Sequence, residues 1–292
     1  MRLARLSPAK PEVIARLEAR SLPLGGGAHG LSISDDGNRA YVVSTGSAAL
    51  APDTTPRNGF HIIDVSEVQA RKANPQMRVI SQVAFRDGTT AQHTVPIAIS
   101  GKPYLVMVDE AGAGGLQDSA GNAVKNACAA GLSPFPMARI FDISDEKNPT
   151  LVSKLMLETH DPANCDKVLP DVIGLTTFTY GSHYCSVDNR QNATALACAY
   201  FNSGVRVFDI RNPARPREIA YFNPAGSLTR MNGSTHSAQW FPGSPDWCAA
   251  RMDFDYERGL LVTMCQDNGL LVMKFKNGVW PMPQSTPSPN QH

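Results

Sequence analysis

The chain has 292 residues, with 27 Lys+Arg against 26 Asp+Glu and 42% hydrophobic residues. A formal net charge of +1 argues against a nucleic-acid binder, and the apolar content is too high for a disordered chain. No run approaches the roughly 18 apolar residues that cross a bilayer as a helix, so no integral membrane span is expected, and the length suffices for a sizeable core.

In chain order, the first eight residues, Met1 to Pro8, are basic but lack a hydrophobic stretch, so they do not read as a secretory signal. Residues 1–10 are taken as an N-terminal extension. Val13–Leu17 is the first predicted strand. Leu31–Ser34 and Tyr41–Ser44 form a hairpin turned at Asp35-Asp36-Gly37-Asn38, where glycine supplies positive φ without a Cβ clash. A phrase then recurs: Gly59 to Ser66, Ala138 to Ser144, Gly204 to Arg211 and, degenerate, Gly269 to Phe275. Asn-Pro follows the first three copies, at Asn74-Pro75, Asn148-Pro149 and Asn212-Pro213.

Each unit reads as four short strands bounded by Gly, Pro, Asn and Asp. In the second they are Thr94–Ile99, Tyr104–Val108, Arg139–Ile143 and Leu151–Leu157. No stretch has a helical amphipathic period longer than two turns. The fold class predicted is all-β, a β-propeller of four-stranded antiparallel blades with four blades visible over residues 11–280. A β-sandwich or an open β-solenoid is the alternative. The chain starts on a fourth strand and ends on a third, so the first strand would complete the last blade and hide an edge. Residues 281–292, rich in Pro, Ser and Gln, are expected to be a disordered tail.

The phrases around Asp64, Asp142 and Asp209, with their Asn-Pro successors, resemble the LVIVD repeat of bacterial and archaeal propeller proteins, many of them secreted. The resemblance covers about residues 11–280 and implies the fold more than an activity, because propellers host unrelated functions. Family members usually have more than four blades. The resemblance therefore leaves open that this is the C-terminal part of a longer protein whose assigned start dropped a signal peptide and earlier blades.

Long loops at residues 45–58, 111–137, 158–181 and 223–246 all fall on one predicted face, as a built surface or as tolerated insertions. Three histidines, His29, His93 and His183, each stand where a predicted innermost strand meets that face, and His236 matches more loosely. Blade symmetry would bring them to the mouth of the central channel. Converging imidazoles suit a transition metal, copper or zinc, with Glu110, Asp109 or Asp267 as a fourth ligand or supporting partner. The competing reading is that each histidine simply bonds the neighbouring blade. His61 aligns with Arg139 and Arg206 and is read as structural; His160 is a weaker candidate.

Cys185 and Cys198 bracket one predicted hairpin, and Cys248 and Cys265 another. Directly opposite residues of an antiparallel pair are close enough to bridge. Cys128 and Cys165 remain, in two long loops of the same face. Three disulfides are expected, 185–198, 248–265 and 128–165, against the alternative of buried free thiols. Disulfides would place the chain in an extracellular, periplasmic or cell-surface setting. The sequence contains no dinucleotide loop, Walker lysine loop or nucleophile elbow.

Two functions are expected from these features. One is a secreted binding or scaffold propeller whose small-molecule or protein ligand, or metal, sits on the loop-rich face. The other is a metal-dependent oxidoreductase with its centre at the channel mouth. A loose similarity to the selenium-binding-protein and methanethiol-oxidase propellers, where histidines hold copper, implies a small thiol or related substrate for the second.

Overall fold

The computed structural model describes residues 2–5, 12–175, 178–226 and 244–282. It is an all-β propeller-type structure. The first blade contains β3 (Leu31–Ile33), β4 (Arg39–Ser44), β5 (Gly59–Asp64) and β6 (Arg78–Ala84), paired in that order. The second contains β7 (Thr89–Ile99), β8 (Lys102–Ala111), β9 (Ala138–Asp142) and β10 (Thr150–Leu155). The third contains β11 (Cys185–Val187), β12 (Ala195–Ala199), β13 (Val205–Asp209) and β14 (Arg217–Phe222). The fourth has three strands, β15 (Asp253–Asp255), β16 (Leu260–Cys265) and β17 (Gly269–Lys274). Every pairing within these sheets is antiparallel.

The alternation of side chains along each strand explains the stacking of blades. In the first blade Tyr41, Val43, Phe60 and Ile62 pack on Leu105, Met107 and Phe141 of the second. The other face of the second blade, with Val106, Val108 and Ile140, packs on Leu196, Cys198 and Phe208 of the third. Ala195, Ala197, Ala199, Val205 and Val207 then meet Leu261 and Cys265 of the fourth. Among the described residues no buried cluster joins the fourth blade to the first.

The chain ends depart from expectation. The predicted first strand exists as β2 (Glu12–Arg16), but it pairs with β1 (Arg2–Arg5) in a separate two-stranded sheet and does not complete the fourth blade. Sheet structure thus begins inside the stretch taken as an extension. The β1–β2 pairing carries an extra residue, Ile14, at the same place where Ile80 interrupts the β5–β6 register. β1 therefore occupies a third-strand position, and β2 is held as its fourth. At the other end Trp280 and Met282 are buried against the fourth blade's core, so the ordered fold runs past residue 280. Residues 283–292 lie outside the described residues.

Among the described residues three α-helices lie outside the sheets. α1 (Ser66–Gln69) is a single turn in the first blade, α2 (Asn122–Ala129) lies in the 111–137 loop, and α3 (Cys165–Val172) in the 158–181 loop. Val124 of α2 and Val168 and Val172 of α3 share a small core with Phe135. The Cys128–Cys165 disulfide joins the two helices. Cys185–Cys198 and Cys248–Cys265 are also bridged, so all three expected pairings are present. Cys185 and Cys198 are direct partners in the β11–β12 register. Three disulfides fit an oxidising compartment. Among the described residues no helix is long and apolar enough to cross a membrane.

Candidate functional site

First strands of the blades surround a central cavity of about 560 Å³, lined by Leu31, Thr94, Ser186 and Phe254 among others. At the end opposite the long loops, Arg190 crosses between blades. Its guanidinium pairs with Asp35 at 2.9 Å and donates to the Ile33 carbonyl at 3.2 Å and the Pro96 carbonyl at 3.3 Å.

The loop-rich end holds the polar cluster. Glu110, near the end of β8, is 6% exposed. Its Oε1 lies 2.7 Å from His183 Nε2 and its Oε2 3.0 Å from His29 Nε2. Residues 81 positions apart in the chain, His29 and Glu110, are thereby joined across two blades. Gly30 permits this approach: a Cβ there would meet the Gln92 carbonyl oxygen at 2.2 Å.

His183 is fixed from several sides. Its Nδ1 lies 2.6 Å from the Ala249 carbonyl oxygen, which can only accept, so Nδ1 carries a proton and donates. Its Nε2 is also 2.9 Å from Gln92 Nε2. The ring packs edge-on to Tyr184 and against Phe201, which in turn stacks on Phe178 and Trp247. The neighbouring Ser182 hydroxyl donates to the Asp109 carbonyl at 3.0 Å, tying this segment to β8 next to Glu110. Because Nδ1 already holds a proton, a neutral His183 would face the carboxylate with a bare lone pair. A proton between His183 Nε2 and Glu110 Oε1 would make the 2.7 Å contact a charge-assisted hydrogen bond, whereas the Gln92 amide N–H donates to the same nitrogen only while it bears a lone pair, so the two neighbours compete for one ring nitrogen. A cluster holding one proton between a base and an acid can deliver or accept it, or exchange it for a cationic group of a ligand.

Backbone strain surrounds the cluster. Thr90 has φ 57 and Phe201 φ 44, left-handed conformations that cost bulky or β-branched residues about 1–3 kcal/mol each. Such strain is found where a site is held in shape.

His93, expected as a ligand, is turned elsewhere. The β7–β8 register skips one residue between Ala91 and His93, so Gln92 is the bulged residue. A one-residue shift exchanges faces, and it puts Gln92 in the site where His93 was expected. His93 Nε2 accepts from the Cys185 backbone N–H at 3.3 Å, and burial pushes its pKa down to about 4. Asp109 also points away. It is fully buried, accepts from Asn58 Nδ2 at 2.8 Å and pairs with Arg139, which bonds Asp87 and lies over the Phe85 ring. Asp267 stands in the turn after β16, where its N–H donates to Asp246. His236 lies outside the described residues.

His61 and His160 are structural. His61 Nε2 accepts from the Leu24 N–H, and burial holds its pKa at about 4. His160 is fully buried, accepts from the Leu157 N–H and donates to the Tyr180 carbonyl; burial lowers its pKa to about 4 as well.

The donor types around Glu110 suit a transition metal, and a ligating histidine commonly anchors its other nitrogen as His183 does. The geometry does not gather them: the two imidazoles meet different oxygens of Glu110, and His93 contributes no free nitrogen lone pair. Among the described residues no group of three or more His, Cys, Asp or Glu side chains is arranged to hold a metal ion. The expected convergence of three imidazoles is replaced by two imidazoles on one carboxylate. Gln92, Tyr184, Phe201 and the Ala249 carbonyl belong to the site and were not foreseen. Gln92 and Tyr184 had one signal, their places beside His93 and His183.

No protein-family model matches the chain, and no curated protein matches it in sequence. Solved structures are similar at low identity. A protein from Lactobacillus plantarum is 12% identical, with a TM-score of 0.45 over 84% of this chain and 50% of that one. The computationally designed Ika4 protein is 7% identical, with a TM-score of 0.40 over 86% of this chain and 92% of that one. Virginiamycin B lyase from Staphylococcus aureus is 9% identical, with a TM-score of 0.35 over 87% of this chain and 57% of that one. The chain spans about half the length of the first and third of these.

Proposed function

We propose that the chain is a propeller of LVIVD-repeat type that works outside the cytoplasm as a binding module, with its ligand seated at the loop-rich mouth of the channel. The supporting observation is the buried Glu110 carboxylate gripped by His29 and His183 above the cavity of about 560 Å³. The cavity mixes apolar residues such as Leu31, Val95 and Phe254 with polar ones such as His93, Arg251 and Asp253, a lining that suits a polar ligand. His29 is the exposed member, with 46% of its side chain accessible, so a ligand reaches it first. A small polar molecule with a hydrogen-bond donor or cationic group would displace His29 or the shared proton from Glu110 and lie against the Tyr184 and Phe201 rings.

Native mass spectrometry of protein exported to an oxidising compartment tests this, with wild type beside Glu110→Gln. A single small adduct on the wild type, lost in the folded variant, is expected. Adduct-free wild type, or equal retention by the variant, overturns the reading.

A second reading makes His29, Glu110 and His183 ligands of copper or zinc and the chain a metal-dependent oxidoreductase. It is favoured by one observation, the Nδ1 anchor of His183 on Ala249. Metal analysis of the same two proteins after growth with copper and zinc decides it. A stoichiometric metal lost in Glu110→Gln supports this reading, and metal-free wild type removes it.

A further inference from the structure

The three complete blades share a rule for their outermost strand. In each, the register between third and fourth strands skips one residue: Ile80 in β6, Val152 in β10 and Ile219 in β14. Each of these β-branched residues packs half-buried toward the following blade. The first residue of the fourth strand faces the last residue of the third: Asp64 with Arg78, Asp142 with Thr150, Asp209 with Arg217. Asp209 and Arg217 form an ion pair at 3.4 Å. The β1–β2 pair obeys the same rule with the charges reversed, Arg5 facing Glu12 and Ile14 as the extra residue.

The fourth blade has no such strand among the described residues. β17 is the edge of its sheet, and Leu270 and Val272 on that strand, with Met264 beside them on β16, are 65%, 59% and 55% exposed. Leu270 and Val272 hold the register positions of Phe60 and Ile62 in β5, which are fully buried. Lys274 stands where the other blades carry Asp64, Asp142 and Asp209. On the other side of the edge a groove of about 860 Å³ runs between β14 and β17, lined by Ile219, Tyr221, Met273 and Phe275. Long, flat, apolar edges are templates for another strand.

We propose that β17 is a docking edge for an extended segment of a partner polypeptide, which lies antiparallel to it as the fourth strand of this blade. The rest of the chain specifies its chemistry. It begins with an acidic residue facing Lys274. Its third residue is β-branched, and its sixth is apolar; both cover Leu270 and Val272. Its second and fifth residues point into the groove. Main-chain hydrogen bonds supply affinity and the alternate side chains supply selectivity. Glu12-Val13-Ile14-Ala15-Arg16-Leu17 has every one of these features, but β2 is already held in register with β1. The six-residue sequence therefore serves as a probe.

A fluorescent peptide of that sequence is titrated against the full chain by anisotropy, beside the same peptide with lysine first. Saturable one-to-one binding is expected, about two- to fivefold weaker for the lysine-first peptide, as a single cross-strand charge pair allows. In the Lys274→Glu variant the preference reverses. Lys274 is exposed, and an unchanged circular dichroism spectrum shows that the variant folds. Absence of saturable binding, indifference to the first residue, or an unreversed preference in Lys274→Glu overturns the proposal. A wild type that light scattering shows to be dimeric, and that Val272→Asp makes monomeric, assigns the edge to a second copy and also overturns it.

Discussion

The seam between the second and third blades and the far face of the fourth blade are built from the same alternating strands and have opposite fates. In the seam Val106, Val108 and Ile140 are fully buried against Leu196 and Phe208. On the far face Met264, Leu270 and Val272 are more than half exposed. Alternation thus decides which side chains share a face. It does not decide whether that face is covered, which depends on what stands next to the sheet.

The second blade offers the largest way to test this contrast. Arg139→Met leaves Asp109 buried without its cation and is expected to cost about 3–5 kcal/mol. Urea denaturation monitored by circular dichroism measures it. A loss of less than about 1 kcal/mol would mean that the sealed region does not depend on its buried pair.

Next comes the covalent tie on the loop-rich face. Replacing Cys128 and Cys165 by serine opens a loop of sequence separation 37 and is expected to cost about 3–4 kcal/mol on the chain-entropy model. The α2–α3 cap should loosen first, visible as faster amide exchange in residues 122–129 and 165–172, while the seam stays protected.

Acid gives a graded effect on the sealed blades. Burial sets the folded-state pKa of His61 and His160 at about 4, against 6.5 when unfolded. Between those values the unfolded chain binds more protons. Stability is therefore full above pH 6.5 and falls as pH drops toward 4, by up to about 1.4 kcal/mol per pH unit for each imidazole. A His160→Gln variant should show a shallower decline than wild type across that window.

The smallest effect belongs to the bare face. Val272→Thr should change stability by no more than about 0.5 kcal/mol, whereas Ile140→Val in the seam costs about 1 kcal/mol. Equal costs at the two positions would show that the far face is covered in solution.

The blades were legible because their turns and alternation repeat: the Asp35–Asn38 turn has Gly37 at φ 75, and the third-strand phrase recurs in all four blades, degenerate in the last. Two cysteine pairs, Cys185–Cys198 and Cys248–Cys265, were legible because a hairpin sets each on facing strands, and Cys128 and Cys165 were the pair left over. Three features were not. β1 is four residues long and reads Arg-Leu-Ala-Arg, without a strand's usual β-branched content. The helices α2 and α3 are eight residues each, too short for a clear period, and a disulfide and a small core hold them. The bulge at Gln92 leaves no compositional mark, yet its one-residue shift decides that Gln92 and not His93 meets His183. Glu110 was found from its place on the second strand. Its two-sided grip depends on tertiary distances that no spacing reveals.

Arg190 has a mechanical consequence. From the third blade it reaches backbone or carboxylate groups of the first and second at the end away from the site. The fourth blade is outside that knot. The first three blades are therefore gathered at one end like a purse on its drawstring, by a single side chain. By leverage, a tilt of one blade about Arg190 would change the gap between His29 and Glu110 more than any distance near the pivot.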